Sequence, residues 1–205
     1  MTLIDLSLLL EDGMPFYPGD PEPSVEQFKT VERDGHALKK MTLGTHTGTH
    51  VDAPCHFIAG GKSVSDLDPL SFSGKAYVVD VSGKTPLDEL TELPPTPSAE
   101  VLLVHTGTNR NWKKGWNMSN VSRLSVSVAE EIRRRKYRVV GIDSPTVGHG
   151  DVHRLLLGNG VLIVENLSSF ALSQVVGKSV LFTCIPILVK EGDGAPARAV
   201  CEYPV

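Results

Sequence analysis

Five short apolar runs, rich in β-branched residues, constrain this chain more than any other feature. They are Ala76 to Val81, Val101 to His105, Tyr137 to Asp143, Val161 to Val164 and Val180 to Val189, the last bent at Pro186. A strand with one wet face alternates apolar and polar residues, whereas a nearly continuous apolar run suits a strand buried on both faces. Helical patterns lie between the runs. Ser127 to Lys136 is made of good helix formers, with Ser125 or Ser127 placed to cap it. Asp151 to Leu157 ends at Gly158, and Ser168 to Val176 ends at Gly177. Strands alternating with short helices predict an α/β fold. An apolar fraction of 40% is enough for one buried core, so residues 1–205 are expected to form a single domain.

The N-terminal part is less regular. A short apolar run, Leu3 to Leu10, precedes a stretch with Pro15, Pro18, Pro21 and Pro23 that makes Gly13 to Ser24 a structured loop. Lys39 to Thr45 reads as extended. Thr85 to Ser98 carries four prolines and reads as an irregular excursion. The formal charge is 20 − 24 = −4 with both signs scattered, which disfavours nucleic acid, because a phosphate backbone calls for a basic patch. The one basic run, Arg133 to Lys136, completes a helix C-terminus and complements its dipole. Met1 to Leu10 is too short, and too interrupted by Asp5, for a signal peptide or a membrane span. Three widely spaced cysteines (Cys55, Cys184 and Cys201) suggest no disulfide framework, so a reducing cytoplasm is the expected location.

Chemistry concentrates in one window. Three of the seven histidines fall between His46 and His56, with Asp52 among them. Neutral imidazole and carboxylate oxygen are the usual ligands of a divalent transition metal. The positions 46, 50, 52 and 56 share parity, so in a strand they share a face. A straight strand would hold the Cα atoms of His46 and His50 about 13 Å apart, near the limit for one bridging ion. The segment must therefore curve, and Gly44 and Gly48 are where it does so cheaply. Pro54 then turns the chain and offers to bring His56 back. Cys55, of opposite parity, reads as a packed thiol, and a zinc finger is a poor alternative because no Cys-x-x-Cys pair exists.

A second cluster, His149-Gly150-Asp151-Val152-His153, lies downstream. Glu165 closes the apolar run Val161 to Val164, where a carboxylate needs a partner. It serves either as a salt-bridged strand terminus or as a bridging metal ligand. Asp143 shapes a turn or orients a ligand.

The stretch His46 to Phe57 resembles the His-x-Gly-Thr-His-x-Asp-x-Pro-x-His-Phe signature of the cyclase-like metal hydrolases, a family that includes bacterial kynurenine formamidases and isatin hydrolases. Pro15 to Asp20 resembles the family's N-terminal loop. Gly160 to Leu167 resembles its glutamate strand, and Pro186 to Arg198 resembles its C-terminal signature. The resemblance implies a swivelling β/β/α-type domain with a mixed sheet and a two-metal site. His46 and His50 would hold one ion and His153 the other, with His149 as the rival for that place. Asp52 and Glu165 would bridge them, and His56 would carry the proton. Zinc, two per chain, is the expected cofactor, and manganese is the alternative.

The implied activity is hydrolysis of a small amide of the arylformamidase kind, as in tryptophan catabolism, by metal-activated hydroxide. Tyr17 would touch the substrate. It stands where formamidases of the family carry a tryptophan, which keeps open a ring-opening hydrolase of lactams or lactones. A metal-binding protein without catalysis is the third reading. The resemblance also implies a homodimer or larger homo-oligomer, with a small molecule as the only other partner and no membrane.

Overall fold

The computed structural model of the protein describes residues 2–82 and 95–203, so most of the Thr85 to Ser98 excursion lies outside the described residues. Four parallel strands form its centre: β5 (Gly74–Asp80), β6 (Val101–His105), β7 (Val139–Ile142) and β8 (Leu162–Glu165). β6 is buried at all five positions. Its odd and even residues point into two separate cores, so both faces of the strand must be apolar. Val101 and Leu103 face one core, shared with Phe182, Cys184 and Cys201. Leu102 and Val104 face the other, beneath two helices.

The parallel strands are flanked by antiparallel ones, so the sheet is mixed. β4 (His50–Asp52) pairs with β8, and β9 (Ser179–Pro186) pairs with β5. The ten-residue β10 (Gly194–Tyr203) joins the two flanks. Its first three residues pair with β4, and Ala197 to Glu202 pair with β9. The sheet thereby closes on itself, and closure removes the exposed edges of these strands. β1 (Thr2–Asp5) runs beside the end of β10, pairing Thr2 with Tyr203. The order is β1-β10-β4-β8-β7-β6-β5-β9, with β9 returning to β10.

The closing strand has no counterpart among the expected elements. Gly194, Ala195, Pro196, Ala197 and Ala199 are small or helix-breaking, and none is β-branched. Pro196, which has no N–H to donate, sits where β10 leaves one partner and takes up the other.

Two helices cover the outer face. α2 (Val126–Arg134) is capped by Ser125, whose hydroxyl accepts from Val128 N at 3.2 Å. α3 (Gly150–Gly158) buries Val152, His153, Leu156 and Leu157, the spacing of one helical face. α4 (Ser169–Ser173) is shorter than the pattern over 168–176 suggests, and the chain turns out of it towards Gly177. A separate hairpin, β2 (Ser24–Lys29) and β3 (Leu38–Thr42), is joined through the single turn of α1 (Val31–Asp34) and buries no residue in either strand. Among the described residues, no helix is long and apolar enough to cross a membrane.

Candidate metal centre

The two faces of β4 have different fates. Val51 points into the interior core, so His50 and Asp52 point outward, towards α3. On β8 the same alternation sends Val164 inward and Glu165 outward. The β4–β8 register places Glu165 directly opposite His50, so three ionisable side chains share one patch of sheet. His153, on the buried face of α3, is lowered onto that patch from above.

His46 arrives through a turn. Gly48 adopts φ +63°, and a Cβ there would lie 2.7 Å from the Leu10 side chain. This bend brings the His46 and His50 ring centroids to 5.0 Å. Gly194 leaves the room His46 needs, since a Cβ on it would lie 2.6 Å from His46 Cε1. Beyond β4, Pro54–His56 forms one turn of 3-10 helix that carries His56 back to His46, with ring centroids 4.0 Å apart.

The hydrogen bonds on the outer side of each ring decide what faces inward. His50 Nδ1 lies 2.8 Å from the Gly48 carbonyl, and His153 Nδ1 lies 3.0 Å from the His149 carbonyl. A carbonyl only accepts, so each Nδ1 carries the hydrogen and each neutral ring turns a bare Nε2 inward. His46 has a carboxylate at each nitrogen, with Asp193 Oδ2 3.0 Å from Nε2, so its neutral ring gives a hydrogen to one side and a lone pair to the other. These lone pairs converge on carboxylates. His46 Nδ1 is 2.9 Å from Asp52 Oδ1, and His50 Nε2 is 3.4 Å from the same oxygen and 3.5 Å from Glu165 Oε2. His153 Nε2 is 3.2 Å from Glu165 Oε1 and 3.7 Å from Asp52 Oδ2. His50 Nε2 and Asp52 Oδ2 are fully buried with no hydrogen-bond partner among the described residues.

Acceptor facing acceptor at these distances requires positive charge between them. Protons are one source. Burial opposes charge on His50, but the Asp52 and Glu165 carboxylates beside Nε2 outweigh it and lift its pKa to about 10. His153 rises to about 9 against its own burial, chiefly through Glu165. His46 rises through Asp52, again against burial. Asp52 would be raised by burial but is held well below the usual carboxylate range by His46 and His50. Divalent cations are the other source, and the donor set fits them. Tetrahedral ligands about 2.1 Å from an ion lie roughly 3.4 Å from one another, in the middle of the spacings above. Two groups have suitably close ligand atoms: His46, Asp52 and His56, and His50, Asp52 and Glu165. Asp52 belongs to both.

Of the residues singled out in the sequence, the structure brings His46, His50, Asp52, His56, His153 and Glu165 together. His149 lines the cleft and makes no ion pair with a carboxylate among the described residues; its backbone carbonyl accepts from His153 Nδ1. Tyr17 lines the same cleft of about 290 Å³, together with Phe16, Phe57 and Trp116. Phe57 stacks on His153 at 4.6 Å. Asp143 shapes a turn, accepting from Thr106 N at 2.6 Å and Gly107 N at 2.9 Å. Cys55 is half-buried, its thiol directed at the Gly192 carbonyl. Sequence reasoning attaches no role to Asp193, whose Oδ2 is also 3.2 Å from His56 Nδ1. The C-terminal signature contains it, but nothing in its local sequence ties it to the histidines.

The closed mixed sheet is an architecture shared with known proteins. Residues 4–149 match the family described as putative cyclase, and the chain belongs to that family. It is 32% identical over 205 residues to kynurenine formamidase of Bacillus cytotoxicus, covering 96% of this chain and 95% of that one. Among solved structures, an isatin hydrolase bound to the product analogue thioisatinate has a TM-score of 0.84 at 18% identity, covering 99% of this chain and 92% of that chain. A potential metal-dependent hydrolase with cyclase activity has a TM-score of 0.80 at 23% identity, covering 99% of each chain. Homologues of the chain are thus hydrolases, and its fold is theirs.

Proposed function

We propose that the protein is a metal-dependent hydrolase that cleaves a small amide, of the arylformamidase type. One observation carries the reading: one nitrogen of each of three imidazoles converges on two buried carboxylates at 2.9 to 3.5 Å. His46 and His50 would hold one divalent ion and His153 a second, with Asp52 and Glu165 shared between them. Zinc suits the imidazole-rich set, and manganese suits its carboxylate share. Such ions, when bound, make water nucleophilic near neutral pH and stabilise negative charge on a carbonyl oxygen.

The chain's own residues supply the rest. Asp193 accepts from His56 Nδ1, so Nε2 keeps its lone pair. Burial pushes the His56 ring below the ordinary imidazole value, which keeps it neutral and able to accept a proton at pH 7. It takes the proton from the attacking water and returns it to the departing nitrogen. Phe16, Tyr17 and Trp116 form an aromatic wall that suits a planar substrate. The protein is proposed to act in the cytoplasm as a homodimer or larger homo-oligomer.

The test is metal content by elemental analysis with N-formylkynurenine hydrolysis assayed on the same sample. About two ions per chain with fast turnover is the result the proposal requires. Two ions without turnover would move the substrate to lactams, the reading that Tyr17 in place of the formamidases' tryptophan favours. A chain that takes up neither zinc nor manganese would overturn the ligand assignment.

A further inference from the structure

Asp193 is the one carboxylate that touches two histidines of the site from outside it. His46 Nε2 and His56 Nδ1 both point at its Oδ2, at 3.0 and 3.2 Å. The other two rings are anchored by backbone carbonyls, which tie down one ring each. The backbone fixes where this carboxylate stands. Ala53 N donates to the Asp193 carbonyl at 2.8 Å, and the next residue, Gly194, opens β10 opposite Asp52. Asp193 is therefore held beside the strand that carries His50 and Asp52, in a position loop motion does not easily change.

We propose that Asp193 is a positioning residue that sets the tautomers of His46 and His56 together and so aligns the metal-facing nitrogen of one with the proton-carrying nitrogen of the other. This inference rests on the hydrolase reading above. A carboxylate only accepts, so Asp193 draws the hydrogen of each ring to the nitrogen facing Oδ2, and for His46 a cation between Nδ1 and Asp52 Oδ1 would remove the competing acceptor. His46 then offers Nδ1 to the site beside Asp52, and His56 offers Nε2 to the cleft. Both rings hang on a single oxygen, so a shift of Asp193 disturbs metal holding and proton transfer in one step. Outer partners of metal-ligating histidines have effects of this kind.

The experiment compares wild type with Asp193→Ala and Asp193→Glu, each loaded with zinc. The ring 15N signals of His56 report its tautomer without any substrate. Wild type is expected to show a protonated Nδ1 and a bare Nε2, and Asp193→Ala a mixture of tautomers. Zinc affinity should fall about 10- to 100-fold in Asp193→Ala. With zinc saturating, kcat for N-formylkynurenine should still fall by a similar factor while KM moves little. Asp193→Glu should recover part of both losses. A wild-type His56 tautomer in Asp193→Ala, or a full kcat with zinc saturating, would overturn the assignment. If the wild type hydrolyses no N-formylkynurenine, the substrate proposal fails, and the tautomer and zinc measurements still decide the role of Asp193.

Discussion

Strands β4 and β8 present two opposite solutions to burial on two faces of the same backbone. Inward, Val51 and Val164 pack with Ala195 and Leu103 in a dry core, where stability grows with apolar area removed from water. Outward, His50, Asp52 and Glu165 are as deeply buried as the valines, yet they gain nothing from apolar contact. They are tolerable only as a set, since a buried charge without its partner is costly. The inner face is therefore divisible, each residue contributing its own share, and the outer face is not. A period of two lets three consecutive residues of β4 serve both, with the rigid inner face holding the ligands of the outer one in place.

That contrast is broken most severely at Asp52. Asp52→Ala removes the carboxylate shared by His46, His50 and His153. Metal content and amidase activity are expected to vanish together, activity falling to background, as read by elemental analysis and steady-state assay. Retained metal in this variant would show that the outer face is as divisible as the inner one. His56→Ala strikes one step short of the ligand set. It should keep its metal and lose about 10²- to 10⁴-fold in kcat, the usual worth of a positioned acid–base group. Full turnover would remove His56 from proton transfer.

On the inner face, Leu103 is fully buried. Leu103→Ala should cost about 2–5 kcal/mol of stability in denaturant unfolding, through lost transfer energy and the cavity left behind. The metal content of the folded fraction should not change. A loss of metal without a loss of stability would reverse the roles assigned to the two faces.

The outer face should also reveal itself by pH once its cations are chelated away. His50 and His153 then have folded pKa values of about 10 and about 9, above the ordinary imidazole 6.5. Groups raised on folding stabilise fully below their unfolded value and lose that contribution as pH rises through the folded value. Asp52 and Glu165 are lowered, so their contribution is present above the ordinary values of 3.8 and 4.5 and is lost on acidification. The chelated protein should therefore be most stable between about pH 4.5 and 6.5 and should lose Tm steadily towards pH 10. The metal-loaded protein should hold its Tm over that alkaline range. Equal pH profiles for the two forms would mean that protons and metal do not compete for the same lone pairs.

What the sequence makes legible follows the same division. The central parallel strands are readable because burial on both faces leaves continuous apolar runs, as in Val101 to His105. The outer ligands of β4 are readable because their parity survives in the spacing of His50 and Asp52. β10 is not, since Gly194 and the alanines after it are chosen for close approach to His46 and to the interior, and strand propensity has no part in that. Of the β2–β3 hairpin, β3 is readable in the extended stretch from Lys39, whereas β2 buries no residue and leaves no inward face to read. Helix register puts His153 on the buried face with Val152, Leu156 and Leu157, while His149 stands at the N-cap of α3. Asp193 is 147 residues from His46, and a contact that long is a property of closure, which no local pattern encodes.

The smallest effect is expected where neither face is involved. Tyr17 sits on the proline-rich loop, 39% exposed, and lines the cleft without a place in either core. Tyr17→Ala should leave unfolding stability within the scatter of surface substitutions, about 0.5 kcal/mol. A ring contributes about 0.5–1.5 kcal/mol by stacking on another aromatic group, so KM for an aryl substrate should rise about 2- to 10-fold with kcat nearly unchanged. An aliphatic amide offers no ring to stack, and its KM should not move. If KM rises equally for both, Tyr17 closes the cleft by bulk alone, and the aromatic wall loses its value as evidence for a planar substrate.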